Sequence, residues 1–243
     1  MNKLHIYYSQ LAMLLIIGAI GIAVFSCNRI KEYIVPTTWL VFPTDSGKSA
    51  IYHVIDSAFT IPATRDEYYR KETVGGIVEI DGRVVNKVIA YRSEWANGLN
   101  FQFEVNRVWS IFKDTTRYGE SIKENVRELV LKYPVYADTN YTWDPFLYAE
   151  TLDKHYLRYR YLNIDTTVTV GNETFEHCVV VMESTRDDTL AHVVKYRKAY
   201  TIYAPHIGKI RRYYRQIDKS LGDTNAIRTE TSAVHIEEIV GHN

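Results

Sequence analysis

The chain has 243 residues, with 29 basic residues against 29 acidic ones and a formal net charge of zero. Nucleic-acid binding needs a concentrated basic footprint, and strong attachment to anionic lipids needs an excess of Lys and Arg. The balanced composition therefore argues against both. With Cys27 in the N-terminal segment, Cys178 is the single thiol of the remaining chain, so the sequence predicts no internal disulfide.

Residues 1–26 form a predicted secretory signal that ends before Cys27. Lys3 supplies a positive charge, and 11–25 is an unbroken apolar run, which is too short and too asymmetric for a good membrane span. The segment resembles a bacterial lipoprotein signal, in which the cysteine is lipidated and becomes the first residue of the mature protein. An uncleaved anchor helix with an incidental cysteine is the alternative. Both interpretations put the rest of the chain outside the cytoplasm and at a membrane.

Beyond the signal, we expect a lipidated tether arm over 27–47 and one antiparallel β domain over 48–243. Twenty tyrosines and abundant Val and Ile favour strands, because these side chains suit a pleated, half-buried surface. In chain order, the predicted strands cover 49–60, 68–80, 84–95, 100–112, 126–135, 155–164, 168–170 with 175–184, 192–203, 208–217 and 227–240.

Short turns join many of these strands. Asp-Gly at 81–82 and Asn-Gly at 97–98 are typical of two-residue hairpin turns. The polar segment 113–123 is predicted to be a loop. One short helix is predicted over 144–155, with Pro145 suitably placed in its first turn.

The run 193–203 indicates how the strands use their two faces. Its even positions from 194 to 202 are Val, Tyr, Lys, Tyr and Ile, whereas its odd positions include Lys, Arg and Thr. One face is therefore predicted to be largely apolar and the other largely solvated. A one-faced antiparallel sheet must cover its apolar side by curling, by sandwiching, or by holding a helix or a ligand. The predicted fold class is mainly β, a curved antiparallel sheet with one short helix, preceded by the signal helix.

Three segments carry a family resemblance. Residues 130–135 followed by 141–143, residues 172–180 and residues 203–210 resemble, in the same order, motifs of a broad group of Bacteroidota outer-membrane lipoproteins. His206 replaces the glycine that is usual in the third motif. The resemblance implies an open half-barrel, an antiparallel sheet wrapped toward a helix as in periplasmic lipoprotein carriers. It implies no established activity.

The sequence contains no recognisable catalytic or metal-binding pattern. Cys178 and His177 are adjacent on a predicted strand, so their side chains point to opposite faces, and Cys178 is predicted to be a small buried hydrophobe. No two histidines have metal-site spacing, so we expect no metal, no cofactor and no enzymatic activity. The histidines occupy positions 5, 53, 155, 177, 192, 206, 235 and 242.

Asp-Ser or Asp-Thr dipeptides recur along the chain. Both residue types hydrogen-bond to nearby backbone in turns, which explains most of them. The family resemblance implies a second interpretation, O-glycosylation of exported proteins where an apolar residue or threonine follows. The candidate acceptors are Ser57, Thr115, Thr166 and Thr189.

Aromatic side chains are the last functional candidates. Trp143, with Tyr141 and Tyr148 nearby, lies in a polar loop and is a candidate stacking platform for a sugar or a wall for an acyl chain. The alternative is that these aromatics fill the covered face of the sheet and its rim.

The sequence thus predicts a non-enzymatic, lipid-anchored cell-envelope protein that binds an apolar or glycan ligand or a partner protein. A structural subunit of an outer-membrane complex, with a Tyr-rich face as the interface, is the alternative. A hydrolase ranks below both, because no nucleophile is paired with a base. Residues 28–32 lack the acidic run that resembles a surface-export signal, which favours the periplasmic face of the outer membrane.

Overall fold

The computed structural model describes residues 44–59, 62–80, 82–94, 102–114, 118–123, 126–132, 141–147, 158–190, 193–221, 227–230 and 232–243. The predicted signal, Cys27 and the tether arm as far as residue 43 lie outside the described residues. Within this part of the chain, no helix is long and apolar enough to cross a membrane.

The described residues form thirteen strands. Their bounds are β1 Ser49–Phe59, β2 Thr64–Ile80, β3 Arg83–Ser93, β4 Gln102–Asp114, β5 Tyr118–Lys123, β6 Val126–Lys132, β7 Thr142–Trp143, β8 Tyr159–Val170, β9 Glu173–Leu190, β10 Val193–Ala204, β11 Gly208–Leu221, β12 Ile227–Glu230 and β13 Ser232–His242.

All thirteen strands belong to one antiparallel sheet with the order β6-β5-β4-β3-β2-β1-β13-β11-β10-β9-β8-β7, and β12 pairs with β11. Two meanders, β1 to β6 and β7 to β11, are joined because β13 inserts between β1 and β11. The register places Val54 opposite Glu237, and Tyr213 opposite Ile236. The curved antiparallel sheet that the sequence predicts is confirmed.

Two tight turns have the backbone conformation that their glycines allow. Gly82 directly precedes β3, which pairs with β2, and has a φ of 71°. Gly171 joins β8 to β9 at a φ of 58°. Residues with a Cβ rarely adopt such positive φ angles, so glycine favours both turns. The predicted Asn-Gly turn at 97–98 lies outside the described residues.

Two sequence expectations about local structure are corrected. The predicted loop 113–123 contains the strand β5, which pairs with β4 on one side and with β6 on the other. Hydrogen bonding to two neighbours stabilises a polar segment that has no strand pattern of its own. Of the predicted helix 144–155, residues 144–147 form a turn in which Asp144 Oδ1 accepts a hydrogen bond from the Phe146 N–H at 2.9 Å. The rest of that helix lies outside the described residues.

Side-chain and backbone hydrogen bonds bring the two ends of the sheet together. The Trp143 indole N–H donates to the Leu129 carbonyl at 2.9 Å, and the Leu129 N–H donates to the Pro145 carbonyl at 2.8 Å. Tyr161 Oη donates to the Lys132 carbonyl at 2.7 Å and accepts from the Lys132 N–H at 3.1 Å. These contacts, which we call the closing seam, satisfy backbone groups on the edge strand β6 that would otherwise face solvent.

The buried apolar residues form two clusters. One surrounds the closing seam and includes Leu131, Tyr161 and Val181. The other includes Val54, Cys178 and Ile210.

The predicted faces of 193–203 need correction near the end of β10. Thr201 and Tyr203, on the face predicted to be solvated, are buried, and Ile202 on the opposite face is buried as well. Near the end of β10 the sheet curls, so that Thr201 and Tyr203 face an interior space instead of the protein surface.

Candidate functional site

The concave side of the sheet forms a cavity of about 350 Å³ that is partly open to solvent. Strands from both meanders line it, so that residues far apart in the sequence meet there. One half of its wall, from β1, β2, β11 and β13, carries charged side chains. The other half, from β3, β4 and β6, is mostly apolar and includes Val88, Trp109, Ile111 and Val130.

Four charged residues form the deepest part of the wall, which we call the deep charge cluster: Arg70, Glu72, Lys209 and Glu237. Glu237 is at the centre, with only 2% of its side chain exposed. Its carboxylate accepts from Arg70 Nη1 at 3.1 Å and from Lys209 Nζ at 2.8 Å. Lys209 Nζ also contacts Glu72 Oε1 at 3.2 Å. The β1–β13 pairing creates this cluster, because it brings β2 and β13 to opposite sides of β1.

The two carboxylates of the cluster differ in acidity. Burial by itself raises the pKa of Glu237, but Lys209, His235 and Arg70 together hold that pKa well below its usual value. Burial raises the pKa of Glu72, and the neighbouring Glu237 raises it further against the opposing effect of Lys209. Glu237 is therefore a firmly ionised anion, and Glu72 is the carboxyl group that accepts a proton more readily.

A hydrogen-bonded chain links the deep charge cluster to the half-exposed Asp56. Arg70 Nη2 donates to Tyr68 Oη, and Tyr68 Oη in turn donates to Asp56 Oδ2 at 3.1 Å. His235 Nδ1 contacts Asp56 Oδ1, and its Nε2 lies 3.8 Å from Glu237 Oε2. Burial lowers the pKa of His235, but hydrogen bonds to Asp56 and Glu237 outweigh it and raise that pKa above its ordinary value.

A second ion pair lies toward the closing seam. Glu183 accepts hydrogen bonds from Thr201 Oγ1 and, at 3.0 Å, from Arg212 Nη2. The Arg212 side chain is 41% exposed, yet its Nε is buried and has no hydrogen-bond partner among the described residues. Glu128 also lines the cavity and accepts from Tyr159 Oη at 2.6 Å.

Aromatic rings complete the wall between its charged and apolar halves. Lys209 Nζ lies 4.4 Å from the centroid of the Tyr52 ring, which is within range of a cation–π interaction. Tyr203 is buried beside Glu183, and its burial, reinforced by that carboxylate, raises the pKa of its hydroxyl well above the usual value. Tyr52, Trp109 and Tyr203 all line the cavity.

The predicted aromatic platform lies elsewhere. Trp143 is 3% exposed and packs against Tyr161, with ring centroids 5.0 Å apart, in the closing seam. Tyr141 is half-buried, with Lys132 Nζ 5.3 Å from its ring centroid. Neither residue lines the cavity. Tyr148 lies outside the described residues. The placement of Trp143 favours the packing alternative, and ligand binding at these three residues stays a prediction.

The other sequence candidates are placed as follows. Cys178 is fully buried, and burial raises the pKa of its thiol to about 11, which confirms the expected role as a small hydrophobe. His177 is exposed and contacts Asp165, so the two neighbours do face opposite sides.

The glycosylation candidates are placed without being tested. Ser57 in β1 and Thr166 in β8 are half-buried, and only the backbone of Thr189 is described. Thr115 and Cys27 lie outside the described residues. Within the described part of the chain, no three His, Cys, Asp or Glu residues converge as a metal site would require.

Sequence reasoning missed the deep charge cluster. A partial signal was present in β2, where Tyr68, Arg70, Glu72 and Val74 alternate on one face. Charged residues interleaved with buried apolar ones on the same face are unusual for a solvated strand surface. Their partners Lys209 and Glu237 lie more than a hundred residues away, and local patterning does not reveal them.

No protein-family model matches this chain, and no curated protein matches it in sequence. The chain is similar to a solved structure from Parabacteroides distasonis, provisionally described as a lipoprotein, with 12% identity, a TM-score of 0.36, and coverage of 82% of this chain and 98% of the other. It is also similar to a structure from Bacteroides fragilis, provisionally described as an exported protein with a YmcC-like fold, with 14% identity, a TM-score of 0.37 and the same coverage.

Proposed function

We propose that this protein is a non-enzymatic, lipid-anchored cell-envelope protein that binds a small ligand in the cavity of its curved sheet. The observation that carries the proposal is the cavity itself, about 350 Å³ of space on the concave face that is partly open to solvent. Small-molecule sites are typically concave, with apolar walls and a few convergent polar groups, and the cavity has this form. Its size and lining therefore support the binding of a small ligand.

The lining of the cavity supports the same conclusion. Buried ion pairs such as Arg70–Glu237 carry a desolvation penalty, and apolar side chains of similar volume often stabilise a fold as well or better. Charged side chains around a cavity can orient a bound molecule, and this role explains their presence better than the stability of the fold does.

The anchoring half of the proposal rests on the N-terminal segment. A positively charged start, an apolar run and Cys27 at its end predict export and acylation. Each buried methylene of an acyl chain contributes about 0.8 kcal/mol to membrane retention, so several chains would hold the protein firmly. We place it on the periplasmic face of the outer membrane.

One observation favours the alternative role of a structural subunit. At the tip of the β2–β3 hairpin, Ile77 and Val84 are 68% and 63% exposed. Exposed apolar side chains at a protruding hairpin are typical of contact surfaces, although two residues make a small patch.

The anchor is tested with the full chain expressed in a bacterial envelope in the presence of an alkyne-labelled fatty acid. We expect the wild type to lose residues 1–26, gain acyl mass and incorporate the label. Cys27→Ser is expected to keep residues 1–26 and incorporate none, and the matched control Cys178→Ser is expected to remain labelled. Equal masses and equal labelling of wild type and Cys27→Ser would contradict the anchor.

The binding half is tested separately, by native mass spectrometry of the gently purified protein. We expect a fraction that carries a small molecule, released on denaturation. A purified protein that carries no small molecule, but forms a stoichiometric complex with another protein at the β2–β3 hairpin, would favour the structural subunit instead.

A further inference from the structure

We infer that the cavity takes an uncharged, hydroxyl-rich ligand, a glycan of one or two sugar rings. This inference rests on the proposed function and names the class of ligand. The sequence left an apolar ligand and a glycan open, and the wall of the cavity distinguishes between them.

The charge balance of the wall is the first step. Among the described residues that line the cavity, four are cationic, five are carboxylates and two are the histidines His206 and His235. His235 contacts both Asp56 and Glu237, and its protonated form brings the number of cations to five. The buried charges are mutually paired, as in Arg70–Glu237, Lys209–Glu72 and Arg212–Glu183. A ligand with a net charge would leave one more charge uncompensated in a desolvated site, which is unfavourable. An uncharged ligand leaves the pairs intact.

Residual hydrogen-bonding capacity is the second step. An ammonium group has three N–H donors, and a carboxylate has about four lone-pair sites. Among the described residues, Lys209 Nζ donates to Glu72 and Glu237, and no other acceptor contacts it. The buried Nε of Arg212 has no partner there either. Sugar hydroxyls both donate and accept, so they match a wall that offers donors and acceptors side by side. A hydrocarbon chain would leave all of them unsatisfied.

The apolar half of the cavity is the third step. A sugar ring has apolar C–H faces as well as hydroxyl edges, so it needs a wall with both characters. Tyr52, Trp109 and Tyr203 present aromatic surface beside the charged groups, and Val88 and Ile111 extend it. Aromatic side chains with a polar tip suit this kind of amphipathic contact.

The size of the cavity is the last step. Small-molecule sites are commonly about 300 to 1,000 Å³, and a volume of about 350 Å³ is near the lower limit. A mono- or disaccharide unit fits a space of this size. A longer glycan would be held by one terminal unit.

The test uses the full lipidated chain in lipid nanodiscs, because sugar-based detergents would compete. Saturation-transfer NMR and calorimetry would measure binding of a panel of neutral mono- and disaccharides with gluco, galacto, manno and N-acetylhexosamine rings. Glucuronate and palmitate serve as the charged and apolar probes. We expect saturable binding of at least one neutral sugar and none of glucuronate or palmitate.

Variants link that binding to the cavity. Glu72→Gln keeps the shape of the side chain but removes a charged acceptor, and we expect about tenfold weaker sugar binding, since a hydrogen bond to a charged group contributes about 1.5 kcal/mol or more. Glu79→Gln, on the exposed part of the same strand, is the matched control and should bind as the wild type does. Lys48→Gln at the cavity wall is a second variant that places no new group in the interior, and we expect weaker binding from it as well.

The outcomes separate the two proposals. Saturable palmitate or glucuronate binding without sugar binding would overturn the glycan inference and leave a ligand-binding cavity in place. Sugar binding that Glu72→Gln and Lys48→Gln both leave unchanged would place the sugar elsewhere and would also overturn the inference. Failure of every probe to bind would overturn the inference and count against the ligand-binding function.

Discussion

The closing seam and the deep charge cluster use opposite chemistry in one sheet. In the closing seam, Trp143 and Tyr161 are buried among apolar neighbours and direct their polar atoms to backbone groups of β6. In the deep charge cluster, Glu237 and Arg70 are equally buried but are satisfied by other charged side chains. Apolar burial stabilises the folded chain directly, whereas buried charges must first offset the loss of their hydration.

The comparison teaches which region holds the sheet together and which is available for function. Removing a seam residue loses favourable burial. Removing one member of a charge pair leaves the other member uncompensated, which is destabilising even though the pair itself contributes little net stability. In the deep charge cluster, a second mutation that removes the uncompensated charge should therefore restore part of the lost stability. In the closing seam, no second mutation of this kind should restore the lost burial.

The largest effect is expected from Trp143→Ala in the closing seam. It removes a buried aromatic side chain and the donor to the Leu129 carbonyl, and such truncations are destabilising by about 3 to 5 kcal/mol. Urea unfolding followed by circular dichroism would measure the loss. A change below about 1 kcal/mol would show that the two ends of the sheet do not depend on this contact.

The next effect is expected from Glu237→Gln in the deep charge cluster. It leaves Arg70 and Lys209 without their shared counter-ion, and breaking a buried pair in this way is destabilising by about 3 kcal/mol or more. Adding Arg70→Met should recover part of the loss. Glu67→Gln is the matched control, because that side chain is 49% exposed and ion pairs at the surface contribute little to stability.

A smaller effect is expected from Tyr161→Phe. The ring and its burial remain, but the Lys132 N–H and carbonyl lose their hydroxyl partner, which is destabilising by about 1 to 3 kcal/mol. Tyr213→Phe, at a half-buried tyrosine of β11, serves as the control. Equal unfolding free energies for the two variants would show that water satisfies the β6 edge as well as Tyr161 does.

The smallest effect concerns pH. Asp56 and Glu237, the charged groups that contact His235, raise its pKa in the folded state. The protonated form is favoured by folding, so this stabilisation is fully present below the unfolded pKa of about 6.5 and is lost as pH rises through the folded pKa. We expect the unfolding free energy of the wild type to fall over that window, and His235→Asn to flatten the fall. The same slope in both proteins would contradict the assignment.

The acid side of the pH profile should show the opposite sign. Glu237 has a lowered pKa in the folded state, so its contribution is present above the unfolded value of about 4.5 and disappears as pH falls through the folded pKa. Glu237→Gln should therefore lose stability relative to the wild type at neutral pH and lose less of it in strong acid. The pH responses of His235 and of Glu237 together would show which charges stabilise the cavity wall.

Much of the fold follows from local patterns. The predicted strand 49–60 matches β1 to within one residue, and Gly82 marks the turn that it was expected to mark. These features depend on alternation and on turn chemistry, which act over a few neighbouring residues. The strand β5 was missed, because its pairing with β4 and β6 supplies the stabilisation that its own residues do not.

The amino-acid sequence by itself determined the strand-forming pattern and the burial of Cys178, and it predicts the export address, because each depends on residues close together in the chain. Only the tertiary structure decided that β13 inserts beside β1, and with it that Glu237 meets Arg70 and Lys209 around a cavity. The physical reason is that strand pairing is not local: any strand with suitable edges can accept another. The charges that line the cavity acquire their partners from that pairing.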